Sequence, residues 1–194
     1  MNIRLFFEKY ILLRSLNYLR IKSEYSFNYL FYYPFLCTSL VFTICLEGGD
    51  YSAFLGVFSD IKDLTTLLIP FYIASLTAIS TFGKGLLDQA FKTIKPIEIR
   101  IRVSPDRWED KRLNPKNYLR LLFAYANFNS IFIFSLISIT GFARNLTVEI
   151  ESFYAHILTL LYYFIILFLF AQLCFITMLG IYFLSDYLVR NENP

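Results

Sequence analysis

Apolar residues along this chain fall into four long runs rather than into an amphipathic pattern. Ser26 to Leu46 gives 21 residues without Asp, Glu, Lys or Arg, Thr65 to Gly83 gives 19, Leu121 to Ala143 gives 23 and Ser152 to Ser185 gives 34. A helix rises about 1.5 Å per residue and a bilayer core is about 30 Å thick, so each run is long enough to cross. A soluble bundle would carry a charged face at a period near 3.6, and these runs have none. The pattern predicts an all-α integral membrane protein with four transmembrane helices arranged as two hairpins. The fourth run is too long for one crossing at ordinary tilt. No Pro or Gly pair divides it, so one helix is expected from near Tyr154 at one surface to beyond the other, towards Tyr187.

Composition sharpens this picture. Of the 194 residues, 57% are hydrophobic and 17% charged, where a soluble domain carries about a quarter charged. Wholesale disorder is excluded by the 22 Phe and 15 Tyr. Fifteen of the 18 basic residues precede the first run or lie between the second and third. The segments 47–64 and 144–151 are acidic on balance. The positive-inside rule then places both termini and the long connector in the cytoplasm. The predicted organisation is a basic interfacial segment at 1–25, a first hairpin at 26–83, a basic cytoplasmic connector at 84–120, a second hairpin at 121–187 and a tail at 188–194. Glu8, Lys9 and Arg14 interrupt any signal-peptide core, so the first span reads as an uncleaved anchor.

Polar side chains within the runs are the next source of chemistry. In span two, Ala74 and Ala78 are four apart, as are Thr77 and Thr81, a spacing that lets helix backbones approach and hydroxyls bond across helices. That face reads as helix packing within one subunit, or as a pore-lining stripe in an oligomer. Asn127 and Ser130 share a face of span three, and an amide in hydrocarbon requires a partner, here a neighbouring helix; a substrate or ion site is the other reading. Thr159, Gln172 and Thr177 offer span four the same kind of bond. The runs hold no charged residue at membrane depth, which argues against an ion-coupled transporter. No spacing of His, Cys or carboxylates suggests a catalytic, cofactor or metal site, and no cofactor is expected.

The connector carries the one alternating motif, Ile97-Glu98-Ile99-Arg100-Ile101-Arg102-Val103, set between Pro96 and Pro105. It reads as a short strand. Either the connector is a solvated link held to anionic headgroups by Lys92, Lys95, Arg100 and Arg102, or Ile99, Arg100, Ile101 and Arg102 with Trp108 nearby form a strand edge that docks a cytoplasmic protein. No recognised module surrounds these basic residues, so direct nucleic-acid binding is not expected. The N-terminal 25 residues are expected to lie on the inner leaflet, or else to dock a partner themselves.

With its basic N-terminus, a first hairpin, a connector after Ser80-Thr81-Phe82 and a second hairpin opening with Asn117-Tyr118-Leu119-Arg120-Leu121-Leu122-Phe123, the whole chain resembles the membrane subunit of the bacterial Kiwa antiphage defence systems. The resemblance implies a homo-oligomer of the bacterial inner membrane that senses phage infection and works with a cytoplasmic DNA-binding partner. Two functions are therefore carried forward: a non-enzymatic membrane sensor and scaffold, and a pore-forming effector that depolarises the cell.

Overall fold

The computed structural model describes residues 15–22, 28–47, 51–81, 98–104, 107–144 and 153–191. Among them, four helices are long and apolar enough to cross a membrane, over Asn28–Leu46, Gly56–Thr81, Lys116–Gly141 and Ile157–Ser185. The first crossing opens with a π turn, Asn28–Tyr32, and continues as α1, Tyr33–Glu47. The others are α2, Tyr51–Thr81; α3, Pro115–Arg144; and α4, Phe153–Asn191. The membrane part is thus all-α and four-span, and α4 is the single unbroken helix that its sequence predicts. At one end of the bundle lie a 3-10 turn, Ser15–Arg20, and three short strands: β1, Ile21–Lys22; β2, Glu98–Ser104; and β3, Arg107–Arg112.

Local sequence sets several of these limits. Asn114 caps α3 and Pro115 opens it, where the missing N–H is harmless; the first helical bond runs from the Tyr118 amide to the Asn114 carbonyl, 3.0 Å. Pro34 has the opposite effect at the start of α1. An α-helical carbonyl at Leu30 would accept from the N–H of residue 34, which proline lacks, and the chain is wound as a π turn there. Pro70 falls inside α2, where neighbouring helices and hydroxyls can re-satisfy freed backbone groups.

The packing order is not the chain order. α2 packs on α3, α3 on α4 and α4 on α1, while α1 and α2 touch only sparsely. The buried core runs through Phe58, Ile61 and Tyr72 of α2, Leu122, Phe123 and Ile133 of α3, and Ile166, Leu173 and Ile176 of α4. At Gly180 α4 lies tight against α3: a Cβ there would sit 2.9 Å from Leu122 Cδ2 and 3.1 Å from Phe123 Cζ. Gly180→Val is therefore expected to destabilise the bundle by about 2 kcal/mol, overpacking outweighing any gain in helix propensity. Reversible unfolding in mixed micelles measures it, and an unchanged midpoint would show that α3 and α4 separate freely.

One boundary differs from the sequence pattern. Segment 47–64 is expected outside the membrane, yet α2 starts at Tyr51 and carries Asp60, Lys62 and Asp63 into the bundle. Phe58 packs on Tyr163 with ring centroids 4.8 Å apart, and the Lys62 ammonium lies 5.8 Å from the Phe134 ring centroid. Phe134 is seven residues short of the end of the α3 apolar stretch, about 10 Å by helical rise. Tyr163 is likewise six residues inside the start of the α4 apolar stretch. Counted from Gly56, where the apolar stretch of α2 begins, the three charges stand about 6 to 10 Å inside it by helical rise. The charge-free criterion missed this because it ends a span at the first charged residue, whereas the fold ends it where the neighbouring helices end.

Candidate docking sheet and the polar spine behind it

The alternating motif of the connector forms β2 at the centre of an antiparallel sheet ordered β1-β2-β3. The β2–β3 register sets Ile99 opposite Lys111, Arg100 opposite Asp110, Ile101 opposite Glu109 and Arg102 opposite Trp108, with an irregularity between Arg102 and Ser104. Glu98 stands opposite Arg112, a pair of opposite charge that favours this register over a slipped one. On its other flank β2 is covered only at its start, by Ile21 opposite Ile99 and Lys22 opposite Glu98. The predicted strand is therefore not a free edge throughout: from Arg100 to Ser104 this flank has no paired strand among the described residues. Lys92 and Lys95, expected at the headgroups, lie outside the described residues.

β1 joins the sheet to the bundle. The 3-10 turn before it inserts Tyr18, 1% exposed, against α3, and Ile21 is also buried. The Tyr18 ring stacks on Tyr125 at 5.4 Å and lies 6.1 Å from Tyr118, which meets Phe183 edge-on at 5.1 Å. Burial pushes the Tyr18 phenol up to about 12, the Tyr118 hydroxyl acting in the opposite sense. Of residues 1–25, expected on the inner leaflet, Tyr18 and Ile21 are packed against the rest of the protein while Leu19 is exposed; residues 1–14 and 23–27 lie outside the described residues.

Behind Tyr18 the contacts continue into the membrane. The Tyr125 hydroxyl donates to Gln172 Oε1 at 3.0 Å, and Gln172 Nε2 donates to the Leu30 carbonyl at 2.9 Å. That carbonyl is the one whose α-helical donor Pro34 removes, so a buried glutamine on α4 supplies what the first crossing lacks. Nearby, Asn129 Nδ2 donates to the Leu169 carbonyl at 3.1 Å. The hydroxyls of Tyr72 and Thr177 share a hydrogen bond, and Thr177 donates to the Leu173 carbonyl at 2.7 Å. Gln172 and Thr177 therefore bond across helices as the sequence suggests.

Other candidates are placed differently. Asn127 and Ser130 are expected to bond a neighbouring helix, but Asn127 Oδ1 and Ser130 Oγ are buried without a hydrogen-bond partner among the described residues. Asn129, two positions along, makes the interhelical bond instead, because it shares the α4-facing line of Leu122, Tyr125 and Ile133. Ala74, Thr77, Ala78 and Thr81 are exposed, which excludes them from packing within one chain. Thr77 donates to the Ile73 carbonyl at 2.9 Å and Thr81 to that of Ala78 at 2.9 Å, so these hydroxyls are satisfied on their own helix. α2 packs instead through Phe58, Ile61, Thr65, Leu68, Tyr72 and Ile79, a heptad-like line legible in the sequence once the helix is known to start at Tyr51. Tyr18 and Pro34, which sequence reasoning did not select, had one usable signal: a proline in a span obliges some other group to satisfy the carbonyl four residues before it. No protein-family model, curated protein or solved structure matches this chain.

Proposed function

We propose that this chain is a non-enzymatic sensor and scaffold of the bacterial inner membrane, serving antiphage defence as a homo-oligomer and recruiting a cytoplasmic DNA-binding protein through its sheet. The observation that carries the reading is the unbroken series of contacts from β1 through Tyr18, Tyr125 and Gln172 to Leu30. A change in how the first and fourth crossings pack alters the seat of Tyr18 and with it the strand that covers the start of β2. The resemblance to Kiwa membrane subunits supplies the phage context and the chemistry of the partner. The basic connector supplies the orientation, sheet inward.

Two experiments test this. Changing Arg100 and Arg102 together to Glu, and separately Ile99 and Ile101 to Ser, is expected to abolish co-purification of the partner at unchanged membrane yield. Retention of the partner at wild-type yield by both variants sinks the docking reading. Reporter fusions at residues 48–50 should report the outside and fusions at the C-terminus the cytoplasm, and the reverse pattern rejects the orientation.

The pore-forming effector is favoured by a different observation, the exposure of Asp60, Asp63, Ala74, Thr77, Ala78 and Thr81 along α2. Expression of the chain alone distinguishes the two: an effector depolarises the cell, a scaffold leaves its potential unchanged.

A further inference from the structure

The seam between α2 and α3 holds polar groups at its most buried level. Two contacts fix how these antiparallel helices face each other: Tyr72 meets Phe123 with ring centroids 6.2 Å apart, and Lys62 lies over the Phe134 ring. Thr65 comes seven residues before Tyr72 on α2, and Ser130 seven residues after Phe123 on α3. The two hydroxyl side chains therefore stand at the same height, each on the line that its helix turns to the other. Both residues are 0% exposed. Asn127 lies one turn from Ser130 on the same α3 line, since positions 123, 127, 130 and 134 follow one another at spacings of four and three.

The hydrogen-bonding needs of these three groups are specific. Thr65 Oγ1 donates its proton to the Lys62 carbonyl at 2.9 Å and can only accept further. Asn127 Oδ1 is an acceptor alone. Ser130 Oγ carries a proton to donate, and neither it nor Asn127 Oδ1 has a hydrogen-bond partner among the described residues. One donor and two acceptors thus meet on one buried seam, where a polar group left unpaired is costly.

We infer that a single water molecule is bound between α2 and α3 at Thr65, Asn127 and Ser130, as a structural ligand of the bundle. Its two protons serve Thr65 Oγ1 and Asn127 Oδ1, and its oxygen accepts from Ser130; three bonds are the usual complement of a buried water. A sodium ion also takes oxygen ligands, but among the described residues no carboxylate lies on this seam to neutralise it. Asp60 and Asp63 are exposed, and the charge held against α3 is the Lys62 ammonium over Phe134, one turn from Ser130. That ammonium repels a second cation, whereas water needs no counter-charge. The site depends neither on the cytoplasmic partner nor on the number of copies in the assembly.

Water-edited solid-state NMR of the full carbon-13-labelled chain in lipid bilayers tests this without any substitution. Magnetisation from water protons is expected to reach Ser130 Cβ and Thr65 Cβ but not the methyls of Ile133, which is as deeply buried. Ser130 signals as dry as those of Ile133 overturn the inference. Reversible unfolding in mixed micelles gives a second measure. Ser130→Ala is expected to lower the folding constant about fivefold, because the bridge loses its donor, and to lower it less than twofold in a Thr65→Val background. A hydroxyl with no partner at all predicts the opposite sign. A gain on Ser130→Ala, or equal losses in both backgrounds, therefore overturns the bridge. Exchanging sodium chloride for choline chloride at constant ionic strength should leave the midpoint unchanged, and stabilisation by sodium would assign the site to the cation and reject the water. If a variant does not accumulate, the spectrum of the unmodified chain decides.

Discussion

Tyr18→Ala will unseat the 3-10 turn and β1 from the bundle, at a cost of about 3 kcal/mol to that docking, the usual range for deleting a buried aromatic. The ring is 1% exposed, stacked on Tyr125 and close to Tyr118, so its removal leaves a void that α3 cannot close. Faster hydrogen exchange at Ile21 and Lys22, with a shift in the emission of Trp108, the single tryptophan, measures the loss. Tyr18→Phe keeps the ring and should stay within about 1 kcal/mol of wild type. Alkali probes the same contact. Since burial raises the phenol to about 12, an undocked Tyr18 ionises near pH 10 while the docked one stays neutral. Docking is then fully present below pH 10 and is lost progressively as the pH rises through 10 towards 12, by about 3 kcal/mol in total. A docking signal flat to pH 12 in wild type, with unchanged exchange in Tyr18→Ala, would show that the sheet is held by other means.

Gln172→Leu has the second large effect. It strips the Tyr125 hydroxyl of its acceptor and the Leu30 carbonyl of its side-chain donor at a buried site. Each lost bond costs about 1 kcal/mol in a membrane protein, so about 2 kcal/mol is expected from unfolding in mixed micelles. The diagnostic result is the rescue. Pro34→Ala returns a backbone N–H to residue 34, which can bond the Leu30 carbonyl four residues before it. It should therefore recover about 1 kcal/mol in the Gln172→Leu background and gain less in the wild type, where Gln172 already serves that carbonyl. Equal effects in both backgrounds would mean that the glutamine acts by packing alone.

The four crossings were legible in the sequence because burial in lipid leaves a one-dimensional record, a run of residues without charge. β2 was legible for a related reason, since Ile97 to Val103 alternates with period two between prolines. The partners of those elements were not legible. Nothing in the alternation says that β2 pairs with Ile21 and Lys22, because that pairing depends on a turn which Tyr18 fixes against α3 across about a hundred residues of chain. Asn127 looked equivalent to Asn129 in sequence. A step of two residues on a helix is 200°, however, so only one of them can lie on the line facing α4, and the packing of α3 selects it.

The sequence by itself thus determined which segments enter the membrane and, through its charge distribution, the orientation expected of them, because transfer from water to hydrocarbon depends on residue type more than on neighbours. Tertiary structure alone decided depth and facing. α2 carries Asp60, Lys62 and Asp63 past the start of its apolar stretch because Phe58 and Tyr72 set its height against α4. Its small-residue line faces outward because Phe58, Ile61 and Ile79 on the other side bury more apolar surface. Height and rotation of a helix are settled by packing against its neighbours, and no single segment contains that information.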